Sequence, residues 1–81
     1  MKREDIITTT KKFLSDEFEI NEDLIQNDNN LQSTLELDSL DYVDLVVVIE
    51  ENLGFKPTAD DFREIVTFGD FYDFAEKKTN T

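Results

Sequence analysis

Two glycines and one proline in 81 residues leave this chain few sharp turns, and its apolar residues recur at helical spacing, so it reads as helices joined by polar loops. The first helix is expected from about Arg3 to Phe18, with Ile6, Ile7, Thr10, Phe13, Leu14 and Phe18 forming its inner stripe. A second is expected from about Ser39 to Leu53, stopping at Gly54, a residue favoured just past a helix end. Its Val46-Val47-Val48-Ile49 run would also suit a buried strand. The segment is too long for an ordinary strand, however, and Leu45, Val46, Ile49 and Leu53 share one helical side. Thr58 with Asp61, and Thr67 with Asp70, have the cap-and-acid spacing that opens a helix. The first pair starts a short third helix presenting Phe62 and Ile65, and the second starts a fourth presenting Phe71, Phe74 and Ala75. The fold class is therefore all-α, a small four-helix bundle in a single domain spanning 1–81.

The first two helices are separated by a long loop, from about Glu19 to Asp38, which a compact domain tolerates only if it is packed. Leu31, Leu35 and Leu37 are its expected anchors, Asn21 caps a single turn, and Asn27-Asp28-Asn29-Asn30 forms an exposed tip. Seven Phe and two Tyr supply the apolar surface that a domain this small needs, since it has no cysteine to form disulfides.

Cysteine and histidine are both absent. That removes thiolate metal sites and structural zinc, and it makes a Ser-His-Asp triad impossible within the chain. No segment has the central glycine and alternating oxygen ligands of a calcium loop, so no metal site is expected. There is no apolar run long enough to span a membrane and no secretory leader, which points to a cytoplasmic protein without membrane insertion. The net charge is −12, and nine acidic against two basic residues fall between positions 36 and 64. This excess disfavours nucleic acid and suits partners with basic surfaces.

Within that acidic stretch, Leu37-Asp38-Ser39-Leu40-Asp41 sets one serine at the mouth of a helix. Ser39 reads either as an ordinary N-cap or as a residue on which another protein acts. Beyond it, Leu40, Val43 and Val47 make a second apolar stripe, flanked by Asp41, Asp44, Glu50 and Glu51. An apolar strip rimmed by one sign of charge is suited to transient docking, although the same residues could pack against the long loop.

The Asp38-Ser39-Leu40-Asp41 motif, the following Val43-Asp44-Leu45-Val46, the helix end Ile49-Glu50-Glu51-Asn52-Leu53-Gly54 and the closing Ile65-Val66-Thr67-Phe68-Gly69-Asp70 together resemble the acyl carrier proteins over nearly the whole chain. The resemblance implies a helical bundle of the acyl-carrier type with a long first loop and a short third helix. It implies that Ser39 receives 4′-phosphopantetheine from coenzyme A through a phosphopantetheinyl transferase, which Asp38 helps to recognise. The arm's thiol would then hold acyl groups as thioesters, so the working thiol is attached rather than encoded. Leu40, Asp41, Val43, Asp44, Val47, Glu50 and Glu51 would form the face read by acyl-loading and acyl-using enzymes of fatty-acid, polyketide or related biosynthesis. The protein would be a monomeric carrier with no catalytic residues of its own.

Glu36 stands where the family usually has glycine. Phe55, Phe62, Phe68, Phe71 and Phe74 could fill the cavity in which the family shelters acyl chains, implying a restricted cargo. The alternatives are a carrier for an amino acid, of D-alanyl or peptidyl type, and an acidic interaction module without a prosthetic group.

Overall fold

Five α-helices and one 3-10 turn make up the computed structural model, which describes residues 2–38 and 40–79. Helix α1 spans Arg3–Phe18, α2 Leu31–Leu35, α3 Asp41–Leu53, α4 Ala59–Glu64 and α5 Phe68–Thr79, with the 3-10 turn at Glu22–Leu24. Four helices are those expected; α2 is the addition. It forms inside the long loop because the Asn30 side chain accepts from the Ser33 N–H at 2.8 Å, and Leu31 and Leu35, one turn apart, both enter the core. A helix of five residues is too short to leave a periodic signal in the sequence.

The tip of that loop is held by its backbone. Leu31 N–H donates to the Val66 carbonyl at 2.9 Å, Phe68 N–H to Asn29 at 3.2 Å, and Gly69 N–H to Asn27 at 3.0 Å. The side chains of Asn27, Asp28 and Asn30 are exposed as expected, but their backbone is sewn to the start of α5. A Cβ at position 69 would come within 3.2 Å of the Asn27 carbonyl oxygen, which accounts for glycine there. Both cap-and-acid pairs form reciprocal boxes. Thr58 accepts from the Asp61 N–H and Asp61 from the Thr58 N–H, and Thr67 and Asp70 do the same, with Val66 N–H also donating to Asp70. The backbone N–H of Thr58 holds the Asp61 carboxyl below its ordinary pKa, and those of Thr67 and Val66 do so for Asp70.

Helix α1 packs against α3 and α5. The core joins Ile6, Phe13 and Leu14 of α1, Leu45, Val48, Ile49 and Leu53 of α3, and Phe68, Phe71, Tyr72 and Ala75 of α5, and the loop adds Ile25, Leu31, Leu35 and Leu37. Val48 takes the inward place expected of Val46, which is only half-buried. Ile7 and Phe18 pack at the edge rather than inside.

Tyr72 is a core residue that the periodicity did not single out. Burial pushes its phenol up to about 12, and its hydroxyl finds no hydrogen-bond partner among the described residues. The Arg3 guanidinium lies 5.9 Å from the ring centroid and pairs with Asp73 at 2.6 Å and Glu76 at 3.1 Å, tying the start of α1 to α5. A buried, unpaired hydroxyl costs about 1–3 kcal/mol. Tyr72→Phe is therefore expected to raise the melting temperature while leaving the helical signal unchanged, as read by circular dichroism.

Helix α2 closes at Glu36, whose backbone is left-handed (φ 53°, ψ 46°). This conformation explains why glycine suits the position. An L-residue gives up about 1–2 kcal/mol there, of which glycine returns roughly 0.5–1 through its looser unfolded chain. Glu36→Gly is expected to stabilise the fold by about 0.5–1 kcal/mol in a denaturant titration.

Candidate functional site

The start of α3 is built by two aspartates. Asp38 Oδ1 accepts from the N–H groups of Leu40 at 2.9 Å and Asp41 at 3.1 Å, and Asp41 Oδ2 accepts from the Asp38 N–H at 3.1 Å. This is a capping box in which Asp38 plays the part a serine often plays. Ser39, the residue on which the sequence reading centres, lies outside the described residues. Its two neighbours are both solvent-exposed, and the cap of the helix is already supplied by Asp38.

The exposed Asp38 and Leu40 leave room for a phosphodiester between them. The N–H groups of Leu40 and Asp41, which an anion at a helix start would otherwise draw on, are occupied by the Asp38 carboxylate. Each aspartate commits one carboxylate oxygen to the box.

The stripe along α3 faces water. Leu40 is 77% exposed, Val43 63% and Val47 49%, so these residues do not pack against the long loop. Asp44, Glu50 and Glu51 are exposed beside them, and Asp41 is half-buried by its role in the box. All seven residues of the expected docking face thus lie on one helix or at its entrance, with apolar centre and acidic rim. No cluster of potential metal ligands occurs among the described residues. Nor is any helix there long and apolar enough to cross a membrane.

Beside this face is an open groove of about 700 Å³. Tyr42, Val43 and Val46 form its α3 wall; Ala59, Phe62, Ile65 and Val66 form the opposite wall. Tyr42 and Phe62 meet across it with ring centroids 5.2 Å apart. Asn30, Gln32 and Arg63 are its polar members. The expected filling by five phenylalanines is not what the fold does: Phe62 alone of them lines the groove. Phe68 and Phe71 belong to the core, and Phe55 and Phe74 pair edge-on at 5.6 Å.

Sequence reasoning missed the groove because one wall is α3 and the other is the short α4 with the residues after it, and only the tertiary fold sets the two face to face. A partial signal was present, since Ala59, Phe62 and Arg63 share one face of α4 by their spacing.

A family model described as "Phosphopantetheine attachment site" matches residues 10–75. Among characterised proteins, the chain is 36% identical over 76 residues to an acyl carrier protein of Thermotoga maritima, covering 94% of each. It is 35% identical over 81 residues to one of Coprothermobacter proteolyticus, covering 100% of this chain and 99% of the relative. A third, from Lactobacillus johnsonii, is 31% identical over 80 residues, covering 99% of this chain and all of the relative.

Proposed function

The chain belongs to the acyl carrier protein family, and from that premise we propose that Ser39 is the attachment point of its prosthetic group and that α3 is the face its enzymes read. The prosthetic group is covalently attached 4′-phosphopantetheine, and the protein holds acyl intermediates on it as thioesters. It thereby acquires the thiol that a chain without cysteine does not encode.

The observation that carries the Ser39 assignment is the Asp38–Asp41 box. Asp38 supplies the cap of α3, and the residues on either side of position 39 are exposed. In the loading step the Ser39 hydroxyl oxygen forms the new phosphoester bond and gives up its proton, while the nucleotide half of coenzyme A leaves. The chain offers no histidine or cysteine to drive this, so it serves as substrate, and a phosphopantetheinyl transferase supplies the catalysis. Asp38 assists that enzyme's recognition, and the loaded protein works as a cytoplasmic monomer, one carrier domain over residues 1–81.

Intact mass after incubation with coenzyme A, magnesium and a broad-specificity transferase tests the assignment. One phosphopantetheine-sized increase is expected; a folded chain that gains no mass would leave an acidic interaction module as the reading.

Leu40, Val43 and Val47 then anchor partner enzymes, and Asp41, Asp44, Glu50 and Glu51 orient their basic surfaces. A charge placed in the centre of such a strip removes an anchor and desolvates poorly. Val47→Asp, which touches neither the core nor the groove, is expected to lower kcat/KM for transfer from the loaded carrier by roughly tenfold or more. The melting temperature should stay within a few degrees of the parent.

A further inference from the structure

We propose that Glu36 is a further specificity residue of the loading step, a carboxylate that meets the cations a phosphopantetheinyl transferase brings to Ser39. The proposal rests on the carrier reading above and extends the surface that enzyme reads from α3 to the other side of the attachment point.

Leu35 and Leu37 are buried and pin the backbone between α2 and α3, while Glu36 and Asp38 beside them are exposed. The Glu36 N–H closes α2 by donating to the Ser33 carbonyl at 3.3 Å. Its carboxylate makes no hydrogen bond or ion pair among the described residues. The neighbouring sequence has no cation to offer it, since no lysine or arginine occurs between Lys12 and Lys56. Glu36 therefore holds a left-handed backbone and adds charge to an acidic segment with no polar contact in return.

Glu19 ends α1 with the same backbone, so strain alone singles out neither residue. What distinguishes Glu36 is its place. Three residues of chain span at most about 11 Å, which keeps it near Ser39 on the α2 side, whereas Asp41 and Asp44 lie on the α3 side.

The chemistry of loading supplies the complementary charge. The Ser39 oxygen bonds to the phosphorus that bears the pantetheine, and the phosphorus–oxygen bond of the pyrophosphate breaks. Adenosine 3′,5′-bisphosphate leaves with the electron pair, and the serine proton passes to the enzyme. An enzyme that does this must cradle a pyrophosphate at Ser39 with basic side chains or a divalent cation. Cations gathered there attract an unpaired carboxylate within reach, so Glu36 strengthens the encounter.

The test measures transfer from coenzyme A by the broad-specificity transferase, read by intact mass, for the parent, Glu36→Gln, Glu36→Asp and Glu36→Gly. At low salt Glu36→Gln is expected to lower kcat/KM about three- to fivefold, through KM, and Glu36→Asp to keep most of the parent rate. Glu36→Gly, which relieves the backbone, is expected to load as slowly as Glu36→Gln while melting above the parent. A purely structural residue would not move stability and loading in opposite directions. The differences should shrink as salt is added.

A Glu36→Gln or Glu36→Gly chain that loads at the parent rate, or a loss that salt leaves unchanged, would overturn the proposal. A parent chain that gains no mass would instead strike the carrier reading on which it rests.

Discussion

A Ser39→Ala chain is expected to melt as the parent does and to take up no phosphopantetheine, whereas Asp38→Ala is expected to melt earlier. The two outcomes are opposite because the cap of α3 and the proposed attachment fall on adjacent residues. Capping belongs to Asp38, whose carboxylate accepts from Leu40 and Asp41. Losing a side chain in that position costs about 0.5–2 kcal/mol, and a domain of this size shifts its melting temperature by roughly 4–8 °C per kcal/mol. Under the proposed assignment the Ser39 hydroxyl supplies the oxygen that forms the phosphoester, so its removal is expected to abolish loading. Intact mass and thermal unfolding of both variants check this. A Ser39→Ala chain that still gained a phosphopantetheine mass would place the attachment elsewhere.

Phe68→Ala is expected to leave much of the chain unfolded at physiological temperature. The Phe68 ring is wholly buried, and its N–H donates to the Asn29 carbonyl in the clasp that holds the long loop. Truncating a buried phenylalanine costs about 3–5 kcal/mol, and a domain of 81 residues has only about 4–12 kcal/mol in all. The alanine could also shift the first turn of α5, loosening the Gly69 N–H to Asn27 bond beside it. Urea unfolding followed by far-ultraviolet circular dichroism measures the loss. A midpoint within error of the parent would mean that the core repacks around the gap.

Helix α1 and the end of α3 at Gly54 could be read from the chain itself, because long periodic segments and a glycine stop leave strong local signals. The cap-and-acid pairs were equally legible, since the groups that satisfy one another lie three residues apart. What escaped is what tertiary contact decides. Val46 and Val48 have the same propensity and adjacent positions, and only the approach of α1 and α5 sends Val48 inward. Helix α2 exists because Leu31 and Leu35 find a core, not because five residues favour a helix. The exposed strip of α3 was legible as a pattern of apolar and acidic residues. The groove was not, since Asn30 and Gln32 lie far in the chain from Arg63 and line the same groove only once the loop has folded back.

The clasp between residues 27–31 and 66–69 also fixes an order of events. Its three hydrogen bonds join segments separated by the whole of α3 and α4, so the chain must close a ring of some forty residues before any of them can form. The entropy of closing that ring falls on the clasp, and the long loop is its latch. The same latch brings Asn30 and Gln32 to the groove, so that part of its wall stands only while the ring is shut.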